Sequence, residues 1–60
     1  MELVQAIATA KRRAKTQDDE RYIILDDDSD YQVCTESELD TYYSGNKVIY
    51  LVSPGGELIC

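Results

Sequence analysis

The chain has no histidine, phenylalanine or tryptophan, and it offers few residues for building a catalytic centre. Its two cysteines, Cys34 and Cys60, have no basic neighbour in the sequence, and a thiol without a nearby base is a poor nucleophile. Most other ionisable groups are carboxylates in polar segments, where water keeps them unsuited to acid–base catalysis. We therefore expect a binding protein and not an enzyme, with no cofactor and no metal.

The sequence also lacks a long apolar run and a targeting signal. Its longest apolar run, residues 48–52, is far shorter than the roughly 20 residues that cross a bilayer. In the N-terminal segment the bases follow the apolar residues, whereas a secretory signal places them in front. We predict no membrane partner, a cytoplasmic location and, in that reducing compartment, free thiols at Cys34 and Cys60.

What the chain does have is charge, and the charge is unevenly distributed. Residues 1–17 carry four bases against one acid, while residues 18–60 carry eleven acids against two bases, for a net charge of −6. With 43% hydrophobic and 30% charged residues, the composition is that of a folded chain. Sixty residues form one small domain with a thin core, which a partner protein or a second copy would help to stabilise.

The first half of the chain predicts a helix followed by a hairpin. Leu3, Ile7, Ala10 and Ala14 have the spacing of one helical face, which indicates a helix over residues 2–15. Segments rich in β-branched and aromatic residues predict strands over residues 21–25 and 31–35. The acidic residues between them, 26–30, predict the hairpin loop.

The second half predicts a short helix and two strands. Thr35 and Glu38 fit a capping box, which predicts a helix over residues 36–44 that Gly45 ends. Residues 47–52 are apolar on both faces, as in a central strand, and a Ser-Pro-Gly-Gly turn precedes a short last strand. We predict one α+β domain over residues 1–60 in the order α-β-β-α-β-β. Its sheet has three or four mainly antiparallel strands, with the first helix packed on one face.

The loop at residues 26–30 resembles the start of a calcium-binding loop. Asp26, Asp28 and Asp30 have the one-three-five spacing of an EF-hand. Its sixth position is Tyr31 where glycine is needed, and its twelfth is Ser37 where a glutamate belongs. We therefore predict no calcium site. A solvated turn is one interpretation of these aspartates, and a recognition surface is the other.

The recognition hypothesis combines the loop with the second helix. Their acids would form one negative surface that docks on a basic site of another protein, as a nucleic-acid mimic does. Neighbouring tyrosines would add apolar contacts. The predicted partner-binding residues are Asp26, Asp27, Asp28, Asp30, Glu36, Glu38, Asp40, Tyr42 and Tyr43.

A basic cluster near the end of the first helix is the alternative site. Cations there interact favourably with the helix dipole, which explains the cluster without a ligand. It could instead bind an anionic nucleotide in an oligomer, or contact the acidic surface of another copy in a homodimer. Direct nucleic-acid binding is not expected, because the net charge repels a polyanion. The cluster consists of Lys11, Arg12, Arg13 and Lys15.

These features together resemble the short accessory proteins that tailed bacteriophages encode outside their structural genes. The resemblance rests on the helix, the acidic hairpin, the Thr-Glu-Ser-Glu cap with Leu-Asp-Thr-Tyr-Tyr-Ser-Gly after it, and the Lys-Val-Ile-Tyr-Leu-Val strand. It implies expression in the cytoplasm of an infected bacterium. It also implies a function in binding, often the inhibition of a host defence or transcription protein.

Overall fold

A computed structural model describes residues 1–59, and its elements follow the predicted order. The helices are α1 (Leu3–Gln17) and α2 (Glu36–Tyr42), and the strands are β1 (Arg21–Leu25), β2 (Tyr31–Cys34), β3 (Lys47–Val52) and β4 (Leu58–Ile59). The strands form one antiparallel sheet in the order β2-β1-β3-β4, with α1 against one face. The predicted α+β architecture is confirmed. Cys60, with any pairing of its thiol, lies outside the described residues.

The core lies between α1 and the sheet. Ala6, Ala10 and Ala14 follow each other at intervals of four residues along α1, and all three are fully buried. Their small side chains let the helix approach the sheet closely, where it packs on Ile23 and Val52. The predicted apolar face is therefore correct: Ala10 and Ala14 are buried, Leu3 and Ile7 are half-buried, and Ala6 belongs to the same face.

A buried arginine joins the end of α1 to the start of β1. The Arg21 side chain is only 4% exposed, and its guanidinium donates hydrogen bonds to the Gln17 side chain and to the Glu20 carbonyl oxygen, the latter at 2.7 Å. The Asp19 carboxylate lies 3.5 Å away as the counter-charge. Because a buried charge is costly unless it is paired and hydrogen-bonded, this arrangement supports the fold.

The second helix begins as predicted and ends early. Thr35 Oγ1 accepts the Glu38 backbone N–H at 3.2 Å, and the Glu38 carboxylate accepts the Thr35 N–H at 3.0 Å, so the capping box is present. The helix ends at Tyr42, two residues before the expected end. The predicted role of Gly45 is wrong: among residues 1–59 the glycine with a positive φ is Gly56, at 84° in the β3–β4 turn.

A bulge in β3 decides which side chains lie on the face of the sheet away from α1, here called the far face. Ile23 pairs with Tyr50 but Ile24 pairs with Val48, which leaves Ile49 as the extra residue. Val48 is thereby placed on the far face, although an unbroken alternation would put it on the same face as the buried Val52.

The far face is only half covered. Ile24 and Cys34, on β1 and β2, are buried, and α2 contacts β1. On β3 and β4, in contrast, Val48 and Ile59 are 40% and 43% exposed. No helix within residues 1–59 is long and apolar enough to cross a membrane.

Candidate functional site

Asp26 organises the acidic loop. Its Oδ1 atom accepts the backbone N–H groups of Asp28 and Asp30 at 2.9 and 3.0 Å, and its Oδ2 atom accepts a hydrogen bond from Gln32 Nε2 at 3.2 Å. The bonds from Asp30, Gln32 and Asp28 hold the pKa of Asp26 below its ordinary value, with the backbone of Asp30 making the largest contribution. This carboxylate is therefore occupied within the loop.

Asp30 is also occupied, because its carboxylate forms an ion pair with the Met1 ammonium group. The adjacent Tyr31 N–H donates to the Met1 carbonyl oxygen at 3.1 Å. Asp27 and Asp28 are exposed, and neither carboxylate has a hydrogen-bond or ion-pair partner among the described residues. These two, the loop acids, are the members of the predicted loop site whose charge remains available to a partner.

The acids of α2 also divide by role. The Glu38 carboxylate closes the capping box, whereas Glu36 and Asp40 are exposed and lie one helical turn apart. Burial raises the pKa of Tyr22, and the charges of Glu20, Glu36 and Asp40 raise it further. The two residues Glu36 and Asp40 are here called the helix acids, and their charges act on Tyr22, which is on the far face of β1.

Tyr42 and Tyr43, the tyrosine pair, end α2. Tyr42 is 74% exposed and Tyr43 is half-buried, and their rings meet edge to face with centroids 6.4 Å apart. The turn that follows is held to the sheet by Asn46, whose side chain donates to the Leu25 carbonyl oxygen at 3.1 Å. Because Leu25 immediately precedes the acidic loop, the tyrosine pair lies at the same end of the sheet as the loop acids.

The predicted acidic residues thus fall into two groups. The helix acids lie toward Cys34, and the loop acids lie beyond Leu25, at the other end of the β1–β2 hairpin. Three residue steps along β2 separate these ends, about 10 Å at the rise of a strand. The exposed Lys47 pairs with Leu25 and adds one positive charge at the loop end.

The basic cluster lies on the exposed side of α1. All four side chains are exposed, and none forms an ion pair within residues 1–59. Of the four, only Lys15 is in the last turn of the helix, so the helix dipole accounts for one of these cations and not for the whole cluster. The aliphatic part of Lys15 lies across Gly56, where it joins α1 to the β3–β4 turn.

The sequence-based prediction missed an apolar row on the far face. Tyr22 pairs with Leu51, and Leu51 pairs with Ile59, so the three side chains are neighbours across β1, β3 and β4. Leu51 is half-buried, and Ile59 and Val48 are more exposed. The apolar character of β3 on both faces was the available signal, but it indicated burial on both sides.

The described residues offer little for metal or thiol chemistry. Residues 1–59 contain no group of three or more carboxylate and cysteine side chains placed to hold a metal ion. Cys34 is a free thiol, 1% exposed, and burial, with a smaller contribution from Glu38, raises its pKa to about 11. A thiol this difficult to ionise is a poor nucleophile at neutral pH.

One open groove, of about 490 Å³, lies between the start of α1 and the acidic loop. It is lined by Met1, Glu2, Leu3, Gln5, Ser29, Asp30 and Tyr31. Two of these residues, Met1 and Asp30, form the ion pair that holds the N-terminal residue on the acidic loop.

The fold defines a small α+β domain with a four-stranded antiparallel sheet. Comparison with known protein families, curated proteins and solved structures gave no match to this chain.

Proposed function

We propose that this protein acts by binding another protein, and that its contact surface consists of the loop acids, the tyrosine pair and the helix acids. The observation that carries the proposal is that some of the predicted residues form bonds within the protein and others do not. Asp26, Asp30 and Glu38 hold the loop and the cap together, whereas the loop acids and Tyr42 are exposed. The second set is free to contact a partner.

The chemistry of this surface favours a basic site on the partner. Exposed carboxylates of one sign steer a positively charged surface during encounter and discriminate against acidic ones. An exposed tyrosine beside them adds ring area that can be buried while its hydroxyl keeps a polar contact. Because nucleic-acid-binding proteins have basic grooves, a protein of this class is the partner that we propose.

The resemblance to bacteriophage accessory proteins extends the proposal to a biological role. In that role the protein is an inhibitor in the cytoplasm of an infected bacterium, where it blocks a host defence or nucleic-acid-processing protein. It works by occupying the basic site and not by catalysis.

The test compares three forms of the protein as bait in a bacterial lysate: wild type, Asp27→Lys with Asp28→Lys, and Lys11→Glu with Arg12→Glu. The loop variant changes charges that make no internal bonds, so circular dichroism should be unchanged. We expect wild type and the Lys11→Glu, Arg12→Glu variant to capture a nucleic-acid-binding protein. The loop variant should not capture it. Equal capture by all three forms would contradict the role of the loop acids.

The tyrosine pair requires a separate variant. Tyr42→Ser removes a ring that is 74% exposed and should leave stability nearly unchanged. If the ring is a buried anchor in the complex, its loss should weaken capture about tenfold or more, since such anchors cost over 1 kcal/mol when truncated. Unchanged capture would remove Tyr42 from the site.

A second candidate function uses the basic cluster. Three cations of α1, Lys11, Arg12 and Arg13, are explained neither by the last turn of the helix nor by an ion pair within residues 1–59. They could bind a nucleotide phosphate at the interface of a homo-oligomer, which would make the protein a nucleotide-sequestering one. A structural or regulatory homodimer without a ligand is a third, separate function.

Thermal unfolding with added nucleotides separates these functions. A ligand present at 100 times its dissociation constant stabilises the folded state by about 2.7 kcal/mol. The nucleotide function predicts such a shift for wild type, its loss in the Lys11→Glu, Arg12→Glu variant, and an oligomeric mass in solution. No shift with any nucleotide would contradict it, and an oligomeric mass alone would favour the homodimer.

A further inference from the structure

The uncovered half of the far face has the dimensions of a helix-binding site. Four strands at about 4.8 Å spacing form a sheet whose face accommodates two helices, each about 10 Å across. On this face α2 contacts β1, while Val48 on β3 and Ile59 on β4 stay partly exposed. The space beside α2 is therefore the width of one more helix.

The side chains of this half are apolar, and acids border them. Val48, Leu51 and Ile59 project from β3 and β4 on the far face. Tyr22, between Leu51 and α2, lies within the electrostatic influence of the helix acids and of Glu20. A helix lying on β3 and β4 would thus have an apolar floor and would lie beside α2, on which Glu36 and Asp40 are exposed.

We propose that the β3–β4 half of the far face binds a basic amphipathic helix of a partner protein. The apolar stripe of that helix would cover Val48, Leu51 and Ile59, and its Lys and Arg side chains would lie beside Glu36 and Asp40. This inference rests on the proposed binding function and specifies the element that is bound. The loop acids and the tyrosine pair would then contact the rest of the partner.

Charge complementarity selects this occupant over the alternatives. An acidic or neutral helix would leave the helix acids facing like charge or an apolar surface, at a cost in desolvation. The α1 helix of a second copy is basic, but its apolar stripe is already buried in its own core, and Val4, at 77% exposed, is its large outward apolar side chain. A helix of a separate partner can supply both a basic charge and an apolar stripe that is not already buried.

The probe is a synthetic peptide of leucine and lysine, about 18 residues long, patterned as an amphipathic helix. Two matched peptides serve as controls: one with glutamate in place of lysine, and one with the leucine–lysine order scrambled to remove the stripe. Binding is measured by fluorescence anisotropy and helix formation by circular dichroism. The protein variants are Ile59→Ser and Val48→Ser on the far face, Glu36→Gln with Asp40→Asn on α2, and Asp27→Asn with Asp28→Asn, which tests for simple charge attraction to the loop. The control variant is Val4→Ser.

We expect the patterned basic peptide to become helical on binding, and both control peptides to bind at least about tenfold more weakly. Each far-face variant and the α2 variant should weaken binding by about the same factor, while the control variant Val4→Ser binds as wild type. Val48→Ser and Ile59→Ser are independent replacements at exposed positions, so misfolding of one leaves the other as a test.

Three results would overturn the inference. Equal binding of the scrambled peptide, or a loss confined to the Asp27→Asn, Asp28→Asn variant, would show simple charge attraction away from the far face. No binding of the patterned peptide would show that this face takes no basic helix. A dimeric wild type that Ile59→Ser converts to a monomer would assign the face to a second copy. The lysate experiment with the loop variant is independent of all three, so the proposed function and this inference can fail separately.

Discussion

The two faces of the sheet carry similar side chains but are covered very differently. Beneath α1, a helix of fifteen residues, Ile23 and Val52 are fully buried against a row of alanines. On the far face α2 has seven residues and none of them is buried, and Ile59 stays 43% exposed. The same residue types therefore form a core beneath α1 and a partly accessible surface on the β3–β4 half of the far face, because helix length and side-chain size decide how much of the sheet is covered.

This comparison separates residues that stabilise the fold from residues that stay accessible. Residues under α1 should determine whether the chain folds, whereas the exposed residues of the uncovered half should contribute little to its stability. The following predictions can contradict or sharpen that separation.

The largest effect should come from the core. Ile23→Ala removes a fully buried side chain beneath α1 and should lower the free energy of unfolding by about 2–5 kcal/mol. Ile59→Ala, the matched change on the far face, should cost less than about 1 kcal/mol because much of the side chain is already exposed. Urea unfolding measures both values. Similar losses of unfolding free energy at the two positions would contradict the separation. If Ile23→Ala does not fold, Ile23→Val replaces it, with an expected loss of about 0.5–1.5 kcal/mol.

The second effect is on the reactivity of the Cys34 thiol, and it tests whether α2 protects the covered half of the far face. Cys34 lies on the covered half, and its pKa is raised to about 11 from a reference of 9.0, so its thiolate at pH 7 should be about 100-fold scarcer than in the unfolded chain. In a Cys60→Ser background, Ellman's reagent should react slowly with the native protein and at the normal rate in urea. Equal rates would show that α2 does not protect this half.

A third effect concerns the junction between α1 and the β3–β4 turn. Gly56 has φ of 84°, and a Cβ atom there would meet Lys15 Cγ and Cδ at 3.2 Å. Gly56→Ala should cost about 1–2 kcal/mol, most of it from the left-handed backbone, because the lysine chain can move aside. Gly45→Ala, with nothing within 4 Å and no positive φ, should be neutral or slightly stabilising by urea unfolding. Equal costs at both positions would contradict the strain at Gly56.

The smallest expected effect is the loss of stability on replacing Asp26 in the acidic loop, and it depends on pH. Because hydrogen bonds lower the pKa of Asp26 in the folded state, its contribution to stability is present above the unfolded value, near 3.8, and is lost as the pH falls through the lower folded value. Asp26→Asn should therefore lower the urea midpoint at pH 7, and the difference from wild type should disappear in strong acid.

The matched change Asp28→Asn should have no such effect, since the carboxylate of Asp28 has no partner among the described residues. A loss of stability at Asp28 equal to that at Asp26 would contradict the division between the aspartates that organise the loop and the loop acids.

Much of the fold was predictable because it depends on neighbours in the sequence. The Thr35–Glu38 capping box and the alanine stripe of α1 involve residues three or four apart, so the pattern shows them directly. The candidate site was less predictable. Four loop aspartates look equivalent in the sequence, but Asp26 and Asp30 have partners in the fold, and Asp30 meets a group 29 residues away.

The sequence by itself determined the order of the elements, the start of each helix and the segregation of charge, because periodicity, capping and composition are local properties. Only the tertiary structure decided which charges are free and which apolar side chains stay exposed. The β3 bulge moves Val48 to the far face, and beside the short α2 the side chains of Val48 and Ile59 stay partly exposed. These outcomes depend on strand register and packing between distant segments, which no short window of sequence contains.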